Sequence, residues 1–354
     1  MCNSSCLFTT LDPHVVRSWI GDLSNIESAA KYLKRMSQAF SSTKQAFYVD
    51  QHNLGNPVDD FERNGRTFTD GCGEISRLGA TKVAEALSLQ SVPSTFQIRL
   101  GRTKGVVVVS GVDDALGYTD TCVLLHKSMM KFCSKYNMMK IVTCVGRSLA
   151  YLTRQSIQIL NSLGIEGEVF LKMQDKYLEE LSSMVASDSQ ALFALKSVLP
   201  TQMSWWIEIF LKQLDVPSLL DGFLASLVEV VYRYILTNTV LSARITIQKG
   251  RTLMGVTDFT GMLSPCHHPD DIRVLRCRSD VPDQLRRLKD CVVFPCDGPR
   301  PHPGERTRSD LDGDVFTVIW DKRLIPRKED MQDPMEFAST RAEKVEAIDD
   351  QSLI

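Results

Sequence analysis

The rhythm of apolar and polar residues changes three times along the chain. From Pro13 to Phe47 apolar residues recur at helical spacing, and Asp22 to Asn25 offers a cap for a segment starting at Ile26. From Gly65 the texture turns to short β signals around the glycine turn Asp70-Gly71-Cys72-Gly73, followed by a short helix over Ser76 to Ser88. Phe96-Gln97-Ile98-Arg99-Leu100 alternates as a half-buried strand does, Gly101 to Gly105 turns, and Val106 to Val109 reads as a buried strand. Arg147 to Leu241 then reads as helical, with Trp205, Trp206, Ile209, Phe210 and Leu214 on an apolar face. The β texture returns after Ser242. Ala243 to Gln248 alternates, Lys249-Gly250-Arg251 turns, and Leu253 to Val256 continues; Ile272 to Cys277 alternates and Cys291 to Phe294 is apolar. The last strand signal is Val315 to Trp320. These patterns predict an N-terminal helical segment (1–60), a first β unit (61–145), a helical connector (146–241), a second β unit (242–328) and a charged, flexible tail (329–354).

A length of 354 residues allows two domains, and 43% apolar with 24% charged residues is ordinary for a soluble globular protein. The formal net charge of −2 names no partner, but from Ser242 to Lys328 there are 16 Lys and Arg against 12 Asp and Glu. A local positive excess around acids is what a site for a polyanion plus a metal requires. The ten Cys include no CxxC pair, and Cys266-His267-His268 with Cys291 and Cys296 matches no standard zinc spacing. The first 13 residues carry no signal peptide pattern, and no run of about 18 uncharged apolar residues exists. The expectation is a soluble, intracellular chain, cytoplasmic or nuclear, with no membrane partner.

The candidate chemistry is concentrated in Asp310-Leu311-Asp312-Gly313-Asp314. On an extended chain, carboxylates at i, i+2 and i+4 share one side. Two such charges about 4 Å apart repel by roughly 1 kcal/mol in water and roughly 4 kcal/mol at an effective dielectric of about 20. No basic residue lies between them, so a cation would relieve the repulsion, and all-oxygen ligation suits Mg²⁺, Mn²⁺ or Ca²⁺. A helix–loop–helix calcium loop would need Gly at the sixth position and Glu at the twelfth; Val315 and Asp321 stand there, and a strand follows. The other reading is a solvated acidic turn. Such a triad beside basic loops suits phosphoryl or nucleotidyl transfer, with Lys104, Arg300 and Arg306 as cationic partners; for each of these alone, an ordinary surface charge is the competing reading. No GxxxxGK[ST], HExxH or GxSxG is present.

Several blocks together resemble the eukaryotic cellular RNA-dependent RNA polymerases of RNA silencing. They are Phe68-Thr69-Asp70-Gly71-Cys72-Gly73-Glu74-Ile75-Ser76, Phe96-Gln97-Ile98-Arg99, Lys104-Gly105-Val106, Ser128-Met129-Met130-Lys131-Phe132, Leu253-Met254-Gly255-Val256, Asp290 to Pro295, and Arg300-Pro301-His302-Pro303 with Ser309 to Asp314. The resemblance spans roughly Val15 to Pro326. It implies an α+β fold of two double-psi β-barrel units joined by a helical connector, with Asp310, Asp312 and Asp314 as catalytic Mg²⁺ (or Mn²⁺) ligands in the second barrel. It further implies Lys104 facing them from the first barrel, with Lys127, Arg300 and Arg306 as further contacts to substrate or RNA. The implied partners are a single-stranded RNA template, nucleoside triphosphates and the small-RNA silencing machinery. Between Leu263 and Ser264 the chain lacks a few dozen residues usual in the family, strands of the second barrel among them. Phe259, His126, Gly304 and Arg308 also depart from the usual residues. A catalytically impaired RNA-binding fragment of such a polymerase is the alternative.

Overall fold

The computed structural model describes residues 12–38, 41–50, 54, 56–89, 91–101, 103–109, 123–132, 134, 136–144, 148–183, 187–198, 222–257, 271–275, 283–296, 298–305 and 309–335. Two main sheets, each with helices packed on it, make an α+β architecture, beside a two-stranded ribbon that pairs 62–63 with 66–67. In chain order the strands are β1 (Lys44–Tyr48), β2 (Glu62–Arg63), β3 (Arg66–Thr67), β4 (Cys72–Ile75), β5 (Thr95–Leu100) and β6 (Thr103–Val109). There follow β7 (Val123–Leu124), β8 (Met138–Thr143), β9 (Ser148–Leu152), β10 (Ile245–Thr257), β11 (Cys291–Phe294) and β12 (Val315–Ile319).

The first sheet has the order β1-β8-β5-β6-β4-β7; its pairs are antiparallel except β4 with β6, which run parallel with Cys72 opposite Val106. The predicted alternation in β5 is realised: Phe96, Ile98 and Leu100 are buried while Gln97 and Arg99 face the other way. Phe96 and Ile98 join Val107, Met139 and Ile141 in a core closed by Ala80 and Val83 of the helix Arg77–Ala86. That helix starts where Ser76 accepts a hydrogen bond from the Gly79 N–H at 3.1 Å.

The second sheet is built on β10, a 13-residue strand that runs through Gly250 where a turn was expected. It pairs antiparallel with β9 and β12 and parallel with β11. The register against β9 slips between Ile247 and Arg251, so the expected turn survives only as an irregularity in pairing. Two further expectations are corrected. Lys44–Tyr48 is a strand on β8, not the end of a helix, and Ser148–Leu152 is a strand of the second sheet, not the start of the helical connector. Both owe their conformation to partners about 95 residues away, which local periodicity does not report. Residues 272–275 form no strand.

One face of the second sheet packs on the helices Arg154–Ser162 and Gly167–Ser183 through Leu152, Leu160, Phe170 and Ile247. Its other contact is with the first sheet. Cys72, Val106 and Val108 form a single apolar cluster with Met254, Val256, Val292, Phe294, Leu311 and Phe316. Phe294 and Phe316 meet edge to face in its middle, with ring centres 4.7 Å apart. The aromatic face at Trp205–Leu214 and residues 336–354 of the tail lie outside the described residues. Among the described residues no helix is long and apolar enough to cross a membrane.

Candidate active site

The acidic loop enters β12 from the seam between the sheets. Leu311 anchors it: the side chain is buried in the shared apolar cluster, and its N–H donates to the Asp70 carbonyl at 3.1 Å. With Leu311 pointing inward, its neighbours Asp310 and Asp312 are turned the other way. Two glycines make the tight fit. Gly313 takes φ +133°, and a Cβ there would collide with the side-chain amide of Gln97. That amide donates instead to the Asp312 carbonyl at 3.1 Å, tying β5 to the loop. From the other side Gly71, at φ +82°, lies so close that an added Cβ would stand 2.7 Å from the Cβ of Asp312.

Within this frame the carboxylates converge. One oxygen from each of Asp310, Asp312 and Asp314 lies within 4.8 Å of the others. The loop supplies two of its own donors: the Asp310 N–H to Asp314 Oδ2 and the Asp312 N–H to Asp310 Oδ1, both at 3.1 Å. A cation comes from the other sheet, where Lys104 on β6 places Nζ 2.5 Å from Asp312 Oδ2. Burial, with the Asp312 charge next, pushes the Asp310 carboxyl up to about 7. Burial also works against ionisation of Asp312, but the Lys104 ammonium outweighs it and holds this carboxyl below its ordinary value. Lys104 is the only cation paired directly with the triad among the described residues, and it meets Asp312 alone, so the site retains negative charge to offer a cation. The donors are all oxygen, and the nearby Cys72 thiol is fully buried, pushed up to about 12 by that burial, and unavailable as a thiolate. The set fits a hard divalent cation held by carboxylates.

A second tier was not singled out from the sequence. Asp60 receives the Ser128 hydroxyl at 2.6 Å and the Ser128 N–H at 2.7 Å, and Ser128 Oγ accepts the Gly71 N–H at 3.1 Å. These bonds fix the Gly71 turn beneath Asp312. Lys131 donates to the Ser128 carbonyl at 2.5 Å; burial lowers its pKa, against the pull of Asp70, Asp312 and Asp310. Asp70 is in turn raised by burial, with Lys131 opposing. Lys131 thus feels the charges of Asp70, Asp312 and Asp310 while its ammonium is bonded to the Ser128 carbonyl. Its block was visible in the sequence; its direction was not.

The remaining candidates lie elsewhere. Lys127 is 65% exposed and pairs with Asp59 at 2.5 Å. Arg300 donates to the carbonyls of Met335 (3.2 Å) and Gly304. Arg306 lies outside the described residues, as do Cys266, His267 and His268. Cys296 Sγ is 3.1 Å from Thr257 Oγ1. Beside Asp310 opens a cavity of about 250 Å³ lined by Arg66, Phe68, Asp70, Pro301, Pro303 and Leu311.

Comparison with known proteins supplies the family. The family model described as RNA dependent RNA polymerase matches residues 3–265 and 264–353, two pieces that overlap at Ser264 and Pro265. Similar curated proteins include the probable RNA-dependent RNA polymerase 1 of Oryza sativa subsp. japonica, 32% identical over 97% of this chain and 50% of that protein. RNA-dependent RNA polymerase 1 of Schizosaccharomyces pombe is 30% identical over 90% of this chain and 30% of that protein. The chain thus spans half or less of the length of these relatives. Among solved structures, the RNA dependent RNA polymerase QDE-1 from Thielavia terrestris matches with a TM-score of 0.69 at 18% identity, covering 90% of this chain and 41% of that one. That likeness extends to the fold. With nearly every residue of the chain inside the family-model match, the chain belongs to the RNA-dependent RNA polymerase family.

Proposed function

We propose that this chain carries the nucleotidyl-transfer centre of an RNA-directed RNA polymerase, which copies single-stranded RNA into double-stranded RNA for RNA silencing. The observation that carries the reading is the convergence of Asp310, Asp312 and Asp314 within 4.8 Å, faced by Lys104 from the other sheet. The two sheets are taken as the two double-psi barrels; the parallel pairs β4–β6 and β10–β11, one in each, support this.

Asp310, Asp312 and Asp314 would hold Mg²⁺ or Mn²⁺. When bound, such ions polarise the phosphate being attacked and stabilise charge on the attacking and leaving oxygens. The chain's own residues do the rest. In the reaction a ribose 3′-oxygen loses its proton and bonds to the α-phosphorus of a nucleoside triphosphate, and pyrophosphate leaves. Lys104 and Lys131 present positive charge where the phosphates gather, fixed before substrate arrives by Asp312 and by the Ser128 carbonyl. Lys127, Arg300 and Arg306 are assigned to longer-range attraction of the RNA backbone.

The test is Asp312→Ala. Metal-dependent incorporation on a single-stranded RNA template falls by roughly 10³-fold or more, while the thermal unfolding transition remains cooperative. Incorporation at the parent's rate would remove the triad from the chemistry. A second reading, an RNA-binding fragment without catalysis, is favoured by one observation: the family match is split at residues 264–265. Folded parent protein that binds RNA in a salt-dependent way and incorporates nothing would establish it.

A further inference from the structure

A second polar site lies on the same sheet, away from the triad. The register of the first sheet sets Lys104 on β6 opposite Arg99 on β5, and Arg99 opposite Lys140 on β8. Directly opposed residues share a face, so three cations stand in one row across three strands, at about 4.8 Å per strand. Like charges in that arrangement repel, and they need anions or aromatic faces to settle them. Asp312 supplies the first end of the row. At the other end Lys140 Nζ lies 5.1 Å from the centre of the Tyr136 ring and 6.0 Å from that of Trp19, which themselves meet edge to face. Trp19 is 56% exposed, although it is the largest apolar side chain of its helix (Pro13–Ile20).

Between these groups is a pocket of about 50 Å³, with Gln38, Arg99, Ser134 and Lys140 among its lining residues and, among the described residues, no acid in the lining. Behind its wall, the donors Nε2 of Gln38 and Nε of Arg99 are shut off from solvent and have no hydrogen-bond partner among the described residues, while Arg99 also donates through its guanidinium to the Ile98 carbonyl at 2.8 Å. Two cations with no acid among the described lining residues make a site for an anion, and the exposed indole beside it offers a flat apolar face.

We infer that this pocket takes a ribonucleotide phosphate, on Arg99 and Lys140, with the attached base stacked on Trp19. The occupant is a nucleotide of a single RNA strand, held about two strand spacings along the row from the triad. Sequence-tolerant stacking on an aromatic ring beside a positive groove is how single strands are gripped without reading their bases. The assignment extends the polymerase reading and takes from it only the direction of the row.

The experiment is equilibrium binding of the full chain to a fluorescent single-stranded RNA, with EDTA present so that catalysis plays no part. Trp19→Ala weakens binding by about tenfold and Lys140→Gln by about threefold, and Lys140→Gln also lowers the salt dependence by about one phosphate contact. Trp19→Phe keeps most of the affinity. A free nucleoside triphosphate, titrated in parallel, separates the two sources of the same chemistry: an equal loss for triphosphate and strand would assign the pocket to the free nucleotide and overturn the strand assignment. Unchanged RNA binding in Trp19→Ala and Lys140→Gln, with cooperative melting retained, would overturn it outright. Because no step needs metal, failure here with metal-dependent incorporation intact leaves the triad reading standing, and success without incorporation leaves only the pocket.

Discussion

The two sheets bring opposite charges to the site from different mechanical settings. The first has its own core, from Phe96 and Ile98 through Met139 and Ile141 to the helix Arg77–Ala86, and presents Gln97, Arg99 and Lys104 on its polar face. The second divides its apolar residues. One set serves the helices, and the other, with Phe316 and Leu311, is completed by Cys72, Val106 and Val108 of the first sheet. The acids therefore sit on the dependent unit and the cations on the self-sufficient one. Closing the shared cluster both stabilises the chain and brings Asp312 to Lys104, so the site is assembled by the packing of one sheet on the other.

The largest effect comes from emptying that shared cluster. Phe316 is fully buried, and Phe316→Ala removes about 3–5 kcal/mol of stability. Ile141→Ala, in the first sheet's own core, removes about 2–5 kcal/mol. The comparison predicts that these two variants part company in activity. Measured per folded molecule at a temperature where both are folded, incorporation falls strongly in Phe316→Ala and stays near the parent in Ile141→Ala. Equal losses would mean that the seam has no special hold on the site.

Next comes the contact of Gly71 with Asp312. Gly71→Ala places a methyl 2.7 Å from the Asp312 Cβ at a φ of +82°, costing about 1–3 kcal/mol and displacing the loop. Gly65→Ala is the control. Its φ is +68°, but an added Cβ there meets nothing within 4 Å, so it carries backbone strain without displacement. Metal titrations followed by incorporation rate show weaker metal use in Gly71→Ala and parental behaviour in Gly65→Ala. Parental metal use in both would detach the glycine turn from the triad.

What could be read in the sequence follows the same division. Strands whose alternation is local, such as Phe96 to Leu100 and the apolar run after Asp314, were legible, and so was the acidic triad, because three carboxylates in five residues are a pattern in themselves. Lys44–Tyr48 and Ser148–Leu152 were not, since only their distant partners make them strands. Gln97 and Gly71 act on a loop more than 200 residues later, and nothing near either residue announces it. Lys131 stood in a recognisable block, yet burial and direction set it apart from Lys127, four positions earlier and 65% exposed. Charge was readable as composition; its placement required the fold.

The smallest effect tests whether the acids are held together for a ligand or for stability. In metal-free protein the Asp310 carboxyl is raised from 3.8 to about 7, by burial first and the Asp312 charge second. Between roughly pH 4 and pH 7 the folded chain keeps a proton that the unfolded chain has released, so this group's contribution to stability falls as pH rises through that window and stays low above it. Asp310→Asn keeps an oxygen to accept the Asp312 N–H and removes the charge. In EDTA the variant should therefore melt higher than the parent at pH 8 and at about the same temperature near pH 4. Adding Mg²⁺ at pH 8 should raise the parent's melting temperature more than the variant's, because only the parent offers three carboxylates. A variant less stable than the parent at pH 8 in EDTA would mean that the carboxylate is retained for folding. The opposite result marks Asp310 as a group kept at a cost to stability, which is the behaviour expected of a ligand site rather than of a structural turn.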